Sequence, residues 1–110
     1  MLRGWAQLAT EVAPHVAPIH LLVREAAGAD RDMADLLDTI DIARRERMHH
    51  NAKRLADRGW LRAGVTVSIA TDVLLLYTSP GVYEQLILKS RWSVQAYGNF
   101  IAEAMIAALL

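Results

Sequence analysis

Apolar positions recur every three or four residues over most of the chain, a spacing that predicts amphipathic α-helices. The clearest example is the stretch 31–58, which is acidic in its first half and basic in its second half. This order of charges complements the helix dipole, so we interpret the charged side chains as a solvated face. The stretch 65–69 alternates with a period of two, but it is short and runs directly into a helical pattern. We therefore predict an all-α fold.

Two prolines interrupt the helical pattern of the N-terminal quarter. The first helix begins near Leu2, and we expect it to end or kink at Pro14 and Pro18, because proline lacks the backbone N–H of a helix interior. A separate second helix is predicted over about 19–27.

Capping residues mark the remaining boundaries. Asp30 is expected to cap the helix 31–58, and Gly59 suits the left-handed position that follows a helix. The later helices are expected to begin at three caps, which are Thr66, Ser79 and Ser93. With Pro80 fitting a first helical position, the pattern predicts a bundle of about five to six helices that forms one domain over 1–110.

Composition narrows the functional classes. The 110 residues are 54% hydrophobic, which leaves apolar surface for a partner or a ligand in so small a domain. Twelve basic and twelve acidic residues cancel, which argues against nucleic-acid binding by this chain alone. The sequence has no cysteine, no apolar run long enough to cross a membrane and no signal-peptide pattern. A cytoplasmic protein without membrane association is expected.

Catalytic and metal-binding patterns are weak. Glu46 and His49 form a Glu-x-x-His pair, but di-iron bundles require two such pairs and two further glutamates. The serines lie at helix ends, where capping explains them, and no nucleophile or phosphate-binding motif is present. We expect neither an enzyme, nor a metal site, nor a cofactor.

Three polar side chains fall within apolar stretches of the predicted helices. His20, Asn51 and Tyr77 each combine an apolar setting with a polar tip, which suits either a hydrogen-bonded core position or contact with a small molecule. Three tryptophans are interpreted as core or interface anchors: Trp5, Trp60 and Trp92.

Several segments together resemble the C-terminal half of TetR-type (tetracycline-repressor-like) bacterial transcriptional regulators. The segments are Ser-Pro-Gly-Val-Tyr at 79–83, Trp-Ser-Val-Gln-Ala-Tyr at 92–97, Ala-Pro-Ile-His at 17–20, and the loop Leu-Ala-Asp-Arg-Gly-Trp-Leu-Arg-Ala-Gly-Val-Thr at 55–66. The resemblance implies an all-helical domain that binds a small, largely apolar effector and forms a homodimer through its last helices.

The resemblance also assigns residues by position. The implied ligand pocket comprises His20, Met48, Asn51, Leu55, Leu74 and Tyr77. The implied dimer interface lies on the helices 67–89 and 93–110 and comprises Val82, Tyr83, Leu86, Tyr97, Ile101 and Met105.

The three-helix DNA-binding head of this family is expected to be absent from the sequence, so DNA contact would require a head outside it. Two alternatives stay open at this point. One is a stand-alone helical bundle that binds a metal or a lipid-like molecule, and the other is a dimerisation module without a ligand.

Overall fold

A computed structural model of the chain describes residues 2–110, together with all of their side chains except those of Leu2 and Trp5. The expectation that Trp5 anchors a core or an interface therefore lies outside the described side chains. The elements are α1 (Leu2–Ala27), α2 (Arg31–Asp57), α3 (Val67–Tyr77), α4 (Pro80–Tyr83), a π-helical segment (Glu84–Lys89) and α5 (Val94–Leu109). Residues 2–110 contain no strand, which confirms the predicted all-α bundle.

The number of helices differs from the prediction of five to six. Within residues 2–110 only four α-helices are longer than a single turn, namely α1, α2, α3 and α5. The main reason is that α1 continues through Pro14 and Pro18 instead of dividing there. It packs against α2, α4 and α5, and this tertiary packing outweighs the loss of two backbone hydrogen bonds.

The predicted caps are confirmed. The side chains of Asp30, Thr66, Ser79 and Ser93 each accept a hydrogen bond from a backbone N–H in the first turn of the following helix. Gly59 has a positive φ of 71° after the end of α2, as its position predicted. Local side-chain chemistry therefore sets most of the helix starts in this fold.

The four longer helices form a ring in which α1 packs on α2 and α5, and α3 packs on the same two helices. The largest fully buried side chains come from α2, α3 and α5, and they are Leu55, Leu74, Met105 and Leu109. From α1 the buried apolar residues described are only Ala6 and Ala17. Because α1 sends small side chains into the interior, space remains beside it.

Arg62 and Thr10 tie α5 to distant parts of the chain. The guanidinium of Arg62 donates a hydrogen bond from Nη1 to the carbonyl of Ala107 (2.8 Å), and its backbone N–H donates to the carbonyl of Leu109 (2.8 Å). Gly98 of α5 lies so close to Thr10 of α1 that an added Cβ would stand 2.6 Å from Thr10 Cγ2. The hydrogen bonds from Arg62 thus hold the last turn of α5. The absence of a side chain at Gly98 lets the first half of α5 approach α1 closely.

The π-helical segment follows α4 without a break and leads into the short loop before α5. Ser90 donates its backbone N–H to the carbonyl of Gln85 (3.0 Å), and Trp92 donates to Leu86 (2.8 Å). In this loop Arg91 adopts a φ of 61°, a conformation uncommon for residues other than glycine. None of the helices described in residues 2–110 combines the length and the apolar character needed to cross a membrane.

Candidate ligand-binding groove

A groove of about 790 Å³ lies between α1 and α2, and we call it the α1–α2 groove. Its floor is formed by the end of α3, the start of α4 and the first half of α5. Binding sites for small molecules typically enclose about 300–1,000 Å³, so this groove has room for an organic ligand.

The wall formed by α1 is apolar. Leu8, Val12 and Val16 are spaced by four residues, and therefore lie on one side of the helix, where they line the groove. All three side chains are exposed in the isolated chain. Exposed aliphatic side chains gathered along a concave surface favour an apolar occupant.

The wall formed by α2 is polar. Arg44, Glu46, Arg47, His50 and Asn51 line it together with the apolar Ala43 and Met48. Arg44 and Asn51 are half-buried, whereas Glu46, Arg47 and His50 are exposed. The groove therefore has one apolar and one hydrogen-bonding wall.

Arg44 is held against the end of α3. Its Nη2 donates hydrogen bonds to the carbonyl of Leu75 (3.1 Å) and to Oγ1 of Thr78 (3.4 Å), and Thr78 donates to the carbonyl of Leu74 (2.6 Å). Burial lowers the pKa of Arg44 from its usual value, although Asp41 opposes this effect. The result is a positioned cation at the base of the polar wall.

His20 lines the end of the groove nearest the α1–α2 connection, and Asp41 stands beside it outside the groove lining. His20 is only 7% exposed, and its Nε2 lies 3.2 Å from Oδ1 of Asp41. Desolvation lowers the pKa of His20 below 6.5, and this effect outweighs the attraction of Asp41. The neutral imidazole can therefore act as a hydrogen-bonding group without adding charge to the groove.

Aromatic rings form the floor. Tyr83 and Tyr97 meet edge to face with ring centroids 5.7 Å apart, and burial raises the pKa of Tyr97. Tyr77 lines the same groove and also contacts Phe100 edge to face at 6.2 Å. Phe100 in turn contacts Trp92 at 5.6 Å. The contacts of Tyr77, Phe100 and Trp92 thus connect the floor of the groove with exposed aromatic side chains at the start of α5.

The structure brings four of the six predicted pocket residues together in the groove, and these are His20, Met48, Asn51 and Tyr77. Leu55 and Leu74 are instead fully buried in the core and do not line it. They lie on the predicted helices, but their side chains pack among α2, α3 and α5.

The residues predicted for the dimer interface lie mostly inside the chain. Tyr97 and Ile101 are 3% and 2% exposed, Tyr83 and Met105 are also buried, and Val82 and Leu86 are half-buried. In a single chain these helices expose other apolar side chains, which include Ile69, Leu76, Leu88, Val94 and Phe100. Phe100 (40% exposed) and Trp92 (38% exposed), which lies in the loop before α5, form what we call the aromatic patch.

Sequence reasoning does not reveal two parts of the groove. The charge pattern places Arg44 among the solvated charges of α2, although it is half-buried. The α1 wall is hidden because Pro14 and Pro18 are expected to break the helix that carries it. The four-residue spacing of Leu8, Val12 and Val16 is the sequence feature from which this apolar wall could have been predicted.

The Glu-x-x-His pair does not form part of a larger cluster. Glu46 and His49 are both exposed, and the described residues contain no group of three or more histidine or acidic side chains arranged to hold a metal ion. Comparison of the chain with models of protein families, with curated proteins and with solved structures found no match.

Proposed function

We propose that this chain is the effector-binding and homodimerisation domain of a TetR-like bacterial transcriptional regulator that acts in the cytoplasm. The observation that carries the proposal is the α1–α2 groove, with its apolar wall and its few positioned polar groups. Its residues include four that the family resemblance assigns to a pocket. The apolar groups left exposed at the aromatic patch are the second support, since a subunit contact would cover them.

Tyr77 suggests how the two activities are coupled. Its ring lines the groove and also touches Phe100, which belongs to the aromatic patch. A ligand that contacts Tyr77 would favour one position of the ring, and a second subunit packed on Phe100 would favour one as well. Ligand binding would then shift the population between two subunit arrangements. Such a shift would change the spacing of any DNA-binding heads.

Native mass spectrometry of the gently purified chain tests the proposal directly. We expect a dimer, and we expect some of it to carry a small organic molecule. A monomer with a bound lipid would instead favour a stand-alone binding bundle, and a dimer that never takes up an apolar compound would favour a ligand-free module.

Two alanine-to-phenylalanine variants of α2, one inside the groove and one outside it, test whether the groove is the binding site. Ala43 lines the groove, and Ala43→Phe would place a ring inside it, whereas Ala34→Phe adds the same ring to α2 outside the groove lining. We expect Ala43→Phe to abolish binding of the neutral dye Nile red and Ala34→Phe to retain it. Equal binding by both folded variants would contradict the assignment of the groove.

A further inference from the structure

Arg44 uses only part of its hydrogen-bonding capacity. A guanidinium carries five N–H donors, and in this side chain Nη2 makes both of the hydrogen bonds found within the described residues. Nε and Nη1 make none with those residues. Since Arg44 lines the groove, donors of a half-buried cation remain for a ligand.

The charge of Arg44 is also unmatched at short range. Among the described residues no carboxylate oxygen lies within 4.0 Å of it, whereas Arg24 pairs with Glu84 and Arg45 pairs with Asp72. The nearby Asp41 directs Oδ1 to His20 instead. A partly desolvated cation without a close counter-ion is unfavourable, and an anionic ligand would remove that cost.

The surroundings of Arg44 define the rest of the ligand. Across the groove stand the aliphatic side chains of Leu8, Val12 and Val16, which offer nothing to a second charged group. Apart from the histidines, the charged lining comprises two arginines (Arg44 and Arg47) against one glutamate (Glu46), an excess of one positive charge. An occupant with one anionic end and an apolar body matches both walls.

We propose that the groove binds an amphipathic carboxylate whose head group accepts hydrogen bonds from Arg44 and whose apolar chain lies along α1. A carboxylate accepts stronger hydrogen bonds from the remaining donors of a charged guanidinium than a neutral polar group does, which is why this head group suits Arg44 better. The inference rests on the proposed function, because it names the class of effector for the same groove.

Displacement of Nile red tests the proposal with two ligands of equal chain length. The assay uses the whole chain at neutral pH and compares decanoate with decanol, each below its micelle or solubility limit. We expect decanoate to displace half of the dye at a concentration about tenfold or more below that of decanol, because hydrogen bonds to a charged group are the stronger class. Without the charge of Arg44, the more apolar decanol would bind more tightly.

Variants of two adjacent arginines locate the effect. Arg44→Met is expected to remove the preference for decanoate while leaving dye binding in place, and Arg44→Lys to retain a weaker preference. Arg45→Met is the matched control, since Arg45 is exposed, lies outside the groove lining and pairs with Asp72 of α3. It is expected to keep the full preference.

The outcomes separate the two proposals. If the wild-type chain binds Nile red but decanol displaces it as well as decanoate does, the carboxylate proposal is overturned and the apolar groove stands. If neither the dye nor either ligand binds, the proposed function itself fails. The comparison of decanoate with decanol on the wild-type chain tests the carboxylate proposal even if Arg44→Met does not fold.

Discussion

Nε2 of His20 lies 3.2 Å from Oδ1 of Asp41, so an imidazole of α1 and a carboxylate of α2 meet at one end of the groove. The imidazole is almost completely buried, whereas the Asp41 side chain is about half exposed (53%). Water therefore weakens the attraction between the two groups, while the desolvation of His20 remains. This imbalance lowers the pKa of His20 in the folded chain and gives the protein a predicted dependence on pH.

We expect the chain to lose stability as the pH falls below 6.5, the ordinary pKa of histidine. Because the pKa of His20 is lowered on folding, the unfolded chain takes up its proton first, and acid favours unfolding. One proton contributes at most about 1.4 kcal/mol per pH unit. Urea unfolding between neutral pH and about pH 5, above the titration range of ordinary carboxylates, measures the slope.

His20→Gln cannot take up a proton and is expected to flatten this slope. His15→Gln is the control, since His15 lies on the same helix with an exposed side chain. Equal slopes for the wild-type chain and His20→Gln would show that His20 is not the group responsible.

Gly98→Ala is expected to destabilise the fold by about 1–3 kcal/mol through overpacking. The new Cβ would stand 2.6 Å from Thr10 Cγ2, and Thr10 is held in place by its hydrogen bond to the carbonyl of Ala6 (2.8 Å). Denaturant unfolding gives the difference in the free energy of unfolding.

Two further variants check this explanation. Adding Thr10→Ala to Gly98→Ala should recover part of the loss, because the contacts with Cγ2 and Oγ1 disappear. Gly4→Ala should be neutral or stabilising by up to about 1 kcal/mol, since a Cβ at this position would have no heavy atom within 4 Å and alanine is the better helix former. An unchanged stability of Gly98→Ala would refute the close packing of α1 on α5.

Arg62→Met is expected to cost about 1 kcal/mol and to loosen the last turn of α5. Its side chain donates to the carbonyl of Ala107, where a cation also complements the negative end of the helix dipole. Hydrogen exchange of the amides in the last turn should accelerate. Arg58→Met is the control and should change little, because the Arg58 side chain lies over the ring of Trp60 (5.2 Å) and makes no hydrogen bond or ion pair with the described residues.

Phe100→Ser and Trp92→Ser are expected to weaken the proposed dimer by about tenfold or more while retaining the helical fold, because each removes an exposed aromatic ring that a second chain would cover. Leu36→Ser, which changes an apolar residue of α2 with a similar exposure, should not affect dimerisation. Sedimentation over a range of concentrations measures the dissociation constant, and circular dichroism verifies the fold. A dimer that persists in both aromatic variants would place the interface elsewhere.

Tyr97→Asp should behave differently. Its ring packs on Tyr83 inside the chain, so an unpaired charge there would unfold the domain itself instead of only separating two subunits. Loss of helical signal at all concentrations distinguishes this result from dissociation of a folded dimer.

The starts of the helices are predictable because they depend on neighbours in the sequence. Asp30, Thr66 and Ser93 each accept a hydrogen bond from a backbone N–H only two or three residues further on. The course of α1 is not predictable in this way, because packing against three other elements decides that the helix continues through Pro14 and Pro18. Local rules describe the cost of a proline, but not the tertiary contacts that offset it.

The groove is only partly predictable for a similar reason. A helical period shows that Met48 and Leu55 share one side of α2, yet Met48 lines the groove while Leu55 is buried in the core. The difference depends on which helix lies opposite each residue. Likewise, the carbonyl of Leu75 that orients Arg44 is distant in the sequence, so the charge pattern of α2 alone indicates a solvated side chain.

Pro14 and Pro18 remove two N–H donors from the same side of α1, so the carbonyl groups of Thr10 and Pro14 lack the amide partner found four residues later in an ordinary helix. We therefore expect α1 to bend more easily at 10–18 than elsewhere along its length, and the same stretch carries Val12 and Val16. If it does, curvature of this one helix would change the width of the groove, and ligands of different girth would fit.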